Sequence, residues 1–505
     1  MAVDGSPARP GMAARRRVET LVEWLRHRTA WQWSLLGVLV AYSVVMTRMS
    51  LDAHHGLGTG AYDLGIYEQG IWLLSRFESP FITLRGVHLF GEHTSFILVL
   101  LAPLYWVFPT TGALLGAQSV AIAAGALPVF LYARHRLGGE GIAFLIAVVY
   151  LLHPAVSWKN MEEFHPEAFY PLLVGFAIYS AVKGRWRPYW VCVALTLLIK
   201  EDTALVIVPL GLWVAFRGER SIGIYTMVAG AAYTLIALFV VIPYFSGGNM
   251  TFHGNRLPFG GPMGLLDTAV TDPGAVVGYL LSGQRPWYLL QLTAPFAWVF
   301  LRRPGIAAIG SLVVLVNLLS TQVPYQHSVR YHYSLVLATI LAMGTVYALG
   351  AVERRRRIWV AAAVGGAAML SAFLWSTLPM ARDARVYDPP SHPRAVAARE
   401  TLALIPDDAV VSAEHDLAAH LARRRHVYFR PNPFYASNYG TVDVPPEGTR
   451  LPISDAVQFV IVGLEPSSWQ RPEHVAAWER EKGSFERIFS NGWYEVYRRV
   501  GSASR

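Results

Sequence analysis

YWVCVALTLLIKEDTALVIVPLGLWVAF (189–216) is a strongly apolar run with Lys200, Glu201 and Asp202 in its middle. Basic residues flank it on both sides: Lys183, Arg185 and Arg187 before, Arg217 and Arg220 after. Cytoplasmic loops of membrane proteins carry the Lys/Arg excess, so both ends are expected on the same side of a bilayer. A single helix of this length would be roughly 42 Å long at 1.5 Å per residue, too long for one upright crossing. Two full crossings need about 20 residues each, more than the run supplies. The pattern therefore predicts two short helices meeting near Lys200–Asp202. On lipid each charge would cost about 2.5–3.5 kcal/mol, so these side chains belong in a protein-lined or wet cavity and mark a candidate functional site.

The rest of the chain agrees with a polytopic α-helical membrane protein. Of 505 residues, 53% are hydrophobic and only 15% charged, against about 25% charged in soluble domains. The net charge of +9 does not point to nucleic acid, because Arg and Lys cluster in short loops between apolar runs, where they set topology. The lone Cys192 excludes an intrachain disulfide and a cysteine metal site. Arg15, Arg16 and Arg17 precede an apolar run from Trp31 to Met46 with no small-residue cleavage site after it, which reads as a retained anchor.

Residues 1–30 read as a basic cytoplasmic tail and 31–378 as the multi-spanning unit. Crossings are expected at 31–49, 113–133, 141–157, 167–182, 189–201, 203–216, 222–243, 286–301, 305–321, 333–350 and 358–378. Residues 94–108 are apolar but short and broken by proline, and read as re-entrant or as a tilted half-helix. If they do not span, Arg134/Arg136, Lys183–Arg187, Arg217/Arg220, Arg302/Arg303 and Arg354–Arg357 all fall on the inner side. That gives about eleven crossings with the N-terminus inside and the C-terminus outside. The long outer loop 50–92 contains YDLGIYEQGIWLLSRF (62–77), whose apolar residues recur at helical spacing and suit an amphipathic helix on the membrane surface. Residues 379–505 turn polar and read as a small extracytoplasmic α/β domain. Strands are expected at 409–413 and 457–464, helices at 417–424 and 473–482, and a hairpin around Asn491-Gly492.

Reactive side chains converge on the expected outer face. The first loop supplies Asp63, Glu68 and His93. The second supplies Glu162, Glu163, His165 and Glu167 within EEFHPE. The 189–216 run supplies Lys200, Glu201 and Asp202, and a later loop supplies His327, Arg330 and His332. Two readings of EEFHPE stay open: an acidic helix start stabilised by the helix dipole, or a base or ligand site at a pocket rim. His93, His165 and Glu163 are candidate ligands for a divalent cation (Mg, Mn or Zn), although no HExxH-like spacing occurs. YQHSVRYHY (325–333) reads either as an interfacial aromatic belt or as a phosphate site built on Arg330. Arg423–Arg425 read as a solvated helix end.

YDLGIYEQGIW (62–72), GEHTSFILVLLAPLYWVFP (91–109), EEFHPEAFYPLL (162–173), LIKEDTALVIVPLGLW (198–213) and IPDDAVVSAEHDLAAHLARRR (405–425) together resemble the domain of unknown function 2079 family of bacterial membrane proteins. The layout also resembles the glycosyltransferase type C superfamily. That resemblance implies an acceptor-serving Asp near the start of the first-loop helix, which Asp63 matches. It implies a second acidic site after the third crossing, at Glu162, Glu163 or Glu167, and a Lys at a later hairpin tip, which Lys200 matches. The chain departs from the superfamily in placing Glu201-Asp202 after this Lys.

The resulting expectation is an enzyme that moves a sugar from a polyprenyl-phosphate donor to an extracytoplasmic glycan, lipid or protein acceptor. Asp63, Glu163 and Glu167 would form the catalytic set. Lys200, Arg330, His327 and His332 would bind the donor phosphate, and Glu68, His93, Glu162, His165, Glu201 and Asp202 would complete the pocket. The rival expectations are a transporter or flippase of a lipid-linked substrate, since broken helices with midmembrane charge also occur there, and a non-catalytic scaffold of the same fold.

Overall fold

The computed structural model describes residues 27–248, 256–322, 325–384, 386–441, 444–465 and 470–501. The expected basic tail, apart from residues 27–30, lies outside them. Among the described residues, five helices are long and apolar enough to cross a membrane: Ala30–His55, Thr111–Leu137, Arg220–Ser246, His332–Leu349 and Arg354–Trp375. Glu140–Leu152 and Pro154–Met161, bent by 47° at His153, make a sixth if counted as one span. The bend has a local cause. Pro154 lacks the N–H that would continue the ladder, and the His153 ring instead accepts a hydrogen bond from the Ala155 N–H. Other expected crossings are shorter apolar helices, Pro166–Val182, Ala204–Phe216 and Ala307–Leu319. The segment expected at 286–301 is broken after Thr293, where Ala297 and Trp298 take positive φ.

The 189–216 run forms two helices, Trp186–Leu197 and Ala204–Phe216, separated at Leu198–Thr203. At 1.5 Å per residue each is about 20 Å long, short of a 30 Å hydrocarbon core. The break is held from both sides. The Ile97 N–H donates to the Leu198 carbonyl at 2.9 Å, and Thr234 Oγ1 donates to the Glu201 carbonyl at 2.6 Å. Ile97 belongs to the 94–108 segment, a short apolar helical stretch made of a 3-10 helix (Phe96–Leu101) and one α-helical turn (Leu104–Val107). Ala204–Phe216 packs tightly on Arg220–Ile236. A Cβ on Gly211 would stand 2.7 Å from the Gly223 carbonyl oxygen, and one on Gly223 2.5 Å from that of Gly211. Glycine is the side chain that permits this approach.

In the C-terminal unit five strands form one sheet. They are β3 (Val411–Ala413), β4 (Val427–Phe429), β5 (Phe459–Gly463), β6 (Phe485–Ser490) and β7 (Tyr494–Arg499), in spatial order β4-β3-β5-β7-β6. β4, β3 and β5 run parallel, and β7 pairs antiparallel with β5 and β6. The short pair β1 (Phe81–Ile82) and β2 (Val87–His88) lies in the first loop. The expected strands, both helices and the Asn491-Gly492 hairpin are present. β4 and the helix Pro393–Leu402 are additions.

The first-loop helix, Ile66–Ser75, does not lie on lipid as expected. Leu64, Tyr67 and Ile71 share one buried core with Val411, Leu417, Ile461 and Val496 of the C-terminal unit. Polar contacts reinforce the join: Gln69 Nε2 donates to the Arg424 carbonyl at 3.1 Å, and Thr83 Oγ1 to the Val427 carbonyl at 2.8 Å. Arg423 and Arg424 are accordingly not part of a solvated helix end, whereas Arg425 is exposed. Arg423 reaches Glu68 at 3.2 Å and Thr111 at 3.0 Å, Arg424 donates to buried carbonyls, and Arg425 pairs with Glu78.

Glu68, expected in the pocket, is therefore part of this joint. Burial pushes its carboxyl up to about 7, against the opposing pull of Arg423. A raised acid binds more protons folded than unfolded, so its contribution is fullest below about 4.5 and is lost as pH rises toward 7. The expected outcome is a melting temperature that falls between pH 5 and pH 7, and a flatter profile over that window in Glu68→Gln.

Candidate active site

Two carboxylates are set by the same piece of backbone. The chain enters the first-loop helix through a kink at Tyr62 and Asp63, where Asp63 adopts φ +60° and ψ −93°. Glu163, from the EEFHPE loop, has φ +39°. Positive φ outside glycine costs about 1–3 kcal/mol and persists only where surroundings enforce it, commonly at functional sites. The enforcement is visible. Glu163 Oε2 accepts from the N–H groups of Gly60 (3.3 Å) and Leu64 (2.9 Å), which bracket Asp63. Glu163 is thus a clasp on the Asp63 turn. Burial raises its proton affinity well above the ordinary range, and the neighbouring Asp63 carboxylate adds to the rise. Asp63, whose side chain is 52% exposed, goes the other way: partial loss of solvation opposes its charge, but the adjacent His165 outweighs that and holds the carboxyl below the usual range.

His165 links Asp63 to the membrane helices. Its Nε2 lies 3.4 Å from Asp63 Oδ1, while its Nδ1 is 3.1 Å from the buried Lys159 Nζ. An ammonium can only donate. Nδ1 is therefore the acceptor, and the imidazole proton sits on Nε2, facing Asp63. Lys159 is itself fixed by the carbonyls of Glu162 (2.7 Å) and Glu163 (3.2 Å). The His165 ring stacks on His332 with centroids 4.1 Å apart. His332 Nδ1 meets Glu162 Oε1 at 2.9 Å, and its Nε2 lies 3.7 Å from Glu167 Oε1. Glu167 in turn accepts from Lys200 Nζ at 2.7 Å. A continuous run of charged and imidazole groups thus leads from Asp63 to Lys200.

Lys200 also faces a cavity of about 330 Å³, with Glu92, His93, Glu201, Asp202 and Arg256 as its other charged or imidazole groups. The remaining walls are mostly apolar, including Leu205, Leu238, Ile242 and Val316. A narrower recess of about 50 Å³, lined by Glu167, Tyr170, Asn317 and His332, shares Asp202, Leu205, Val316, Gln326 and Tyr333 with it. The two spaces therefore abut, and the recess carries the cavity toward the histidine pair. Lys200 spends one donor on Glu167, leaving two of its three.

The Asp63 turn is also braced from the C-terminal unit. A Cβ on Gly60 would stand 2.1 Å from His415 Nε2, and the His415 ring is packed against Tyr62 and Phe429. Gly60→Ala is expected to lower stability by about 1–3 kcal/mol, as overpacking does. It should also disturb Asp63; thermal melts and transfer assays on the same preparation check both.

The family model described as "Predicted membrane protein (DUF2079)" matches residues 53–477. The chain belongs to the DUF2079 family. No curated protein matches it. Among solved structures, the DUF2079 chain is similar to ArnT from Cupriavidus metallidurans bound to undecaprenyl phosphate, with a TM-score of 0.53 and 12% identity over 94% of this chain and 99% of that one. The apo state of the same protein gives a TM-score of 0.54 at 12% identity over 93% and 99%. At that identity the likeness establishes the fold, a glycosyltransferase type C-like arrangement of membrane helices with a small C-terminal sheet.

Within the DUF2079 chain the expected site residues fall into three groups. Asp63, Glu162, Glu163, His165, Glu167, Lys200 and His332 come together as described. His93, Glu201 and Asp202 line the large cavity, where His93 Nδ1 pairs with Glu201 at 2.8 Å. Arg330 and His327 stand outside both linings. Arg330 is exposed with its guanidinium 4.9 Å from the Trp158 ring centroid, and His327 is buried elsewhere in its loop. Arg256 was missed by sequence reasoning. The sequence around it has no periodicity or motif, and only the fold brings it to the cavity. The expected cation ligands His93, His165 and Glu163 do not converge, since Glu163 is taken by backbone N–H groups and His93 by Glu201. Among the described residues Glu162, His165 and His332 do, their ligand atoms lying within 4.8 Å of one another. The set matches a divalent cation by donor type, but His165 as arranged offers it no lone pair, since Nδ1 accepts from Lys159 and Nε2 carries its proton toward Asp63.

Proposed function

We propose that this protein is a membrane glycosyltransferase that takes a sugar from a polyprenyl-phosphate donor and passes it to an acceptor on the outer face of the bilayer. In this reading the chain makes about eleven crossings, with the N-terminus inside and the C-terminal unit outside. The observation that carries it is the apolar cavity ending on Lys200 and Arg256 and joined, through the recess, to the run that leads to Asp63. The likeness to the fold of ArnT, whose structure holds undecaprenyl phosphate, supports the same reading.

The roles follow from the chemistry. The polyprenyl chain occupies apolar wall, and its phosphate meets the free donors of Lys200 and the Arg256 guanidinium. The leaving phosphate gains negative charge as the glycosidic bond breaks, and fixed cations stabilise that charge most where water is excluded. Glu167 and His332 hold Lys200 in place. Asp63 accepts the proton of the attacking acceptor hydroxyl, oriented by His165 and by the Glu163 clasp.

The test is lipid and glycan profiling of a deletion strain with and without the wild-type gene. The expected result is loss of one glycosylated product with build-up of its polyprenyl-phosphate sugar, both reversed by complementation. Unchanged lipid-linked sugars and glycans would overturn the proposal.

A further inference from the structure

A second cavity, of about 160 Å³, lies in the C-terminal unit and takes no part in the chemistry above. Its position follows from topology. β3 connects to β4 on one side, while β5 lies on its other side, so the chain reverses its direction of travel between β3 and β5. The crevice beyond the carboxyl ends of parallel strands at such a switch point is where open α/β sheets place ligands. Here β3 ends at Ala413 and delivers Glu414 and Asp416, and β5 ends at Gly463 and delivers Glu465. Arg394, Trp493 and Tyr494 close the space.

The side chains form an alternating pattern. Arg394 lies between two acids, 2.7 Å from Asp416 and 3.9 Å from Glu465. Asp416 is fixed further by the Leu417 N–H at 3.0 Å and the Tyr494 hydroxyl at 3.4 Å. Glu414 is anchored by Arg430 and by the Gly463 N–H. Acceptor, donor and acceptor in a row match adjacent hydroxyls, each of which both donates and accepts. The half-buried Trp493 and the ring of Tyr494 supply apolar surface for the C–H face of a ring. Glu414, Asp416 and Glu465 outnumber Arg394, the one Arg or Lys in the lining, which disfavours phosphate, and the volume suits one ring. The cavity also reaches Leu57 of the first loop, and its neighbour His415 touches Gly60 beside the Asp63 turn.

We infer that this cavity binds a neutral sugar ring of the acceptor, presenting the remainder toward Asp63. The word acceptor rests on the transferase reading; the binding does not.

The test uses the purified full-length protein in lipid nanodiscs, without donor, and ligand-observed NMR with the methyl glycosides of glucose, mannose, galactose and arabinose. At least one should bind saturably. Glu465→Gln and Arg394→Gln, both at partly exposed positions, should weaken its Kd tenfold or more with melting temperatures unchanged. Asp63→Asn should bind it as wild type does, which separates this site from the chemistry. Binding by none of the glycosides, wild-type Kd in both variants, or binding of putrescine alone would overturn the inference. Loss of transfer in Asp63→Asn with no glycoside binding would sink this site and leave the transferase reading standing.

Discussion

Asp63→Asn should reduce sugar transfer by about 10²- to 10⁴-fold, the usual contribution of a positioned acid or base. The substitution is clean for a reason particular to this position. Asp63 sits at φ +60° and ψ −93°, a strained turn outside the left-handed helical region, and asparagine, of the same size and shape, asks for no change in it. The Glu163 clasp on the N–H groups of Gly60 and Leu64 uses backbone only and should survive, as should the melting temperature. Single-turnover transfer with a polyprenyl-phosphate sugar, measured beside a thermal melt, reads both quantities. Full transfer activity in the folded variant would remove Asp63 from the base role.

Lys200→Met should abolish donor use and destabilise the fold together. Lys200 and Glu167 are both buried and meet at 2.7 Å. Removing one partner leaves an uncompensated buried charge, worth about 3–5 kcal/mol. The double variant Lys200→Met, Glu167→Gln removes both charges and should recover most of that stability. It should not recover transfer, because the phosphate has still lost its ammonium. If the double variant binds and uses the donor as wild type does, Lys200 is a structural cation and the phosphate is held elsewhere.

The features legible in the sequence were those where local chemistry left one choice. Charge inside an apolar run of awkward length forced the break at Leu198–Thr203. Proline and short length announced the short, broken helix at 94–108. Alternation and Asn491-Gly492 gave the β6–β7 hairpin. Asp63, His165, Glu167, Lys200 and His332 were singled out as ionisable groups near expected membrane ends, and the fold gathers them. Other features had no local signature. The apolar face of Ile66–Ser75 reads the same whether it meets lipid or protein, so its core shared with Val411 and Ile461 could not be read from periodicity. Glu68 and Arg423 are far apart in the chain, and nothing in either neighbourhood announces the other. Arg330 was preferred over Arg256 because it stands in an aromatic- and histidine-rich stretch, whereas Arg256 gains its place only through the fold around the cavity.

The order in which a ribosome delivers these parts gives the sheet a further meaning. β7 is the inner partner of both β5 and β6, yet it is made after every membrane helix described here and after every other strand. Until it arrives, the unit that presses His415 against Gly60 lacks a central member, and the turn carrying Asp63 lacks its brace. A nascent polypeptide can therefore be fully threaded into the bilayer before the turn that carries Asp63 has its brace.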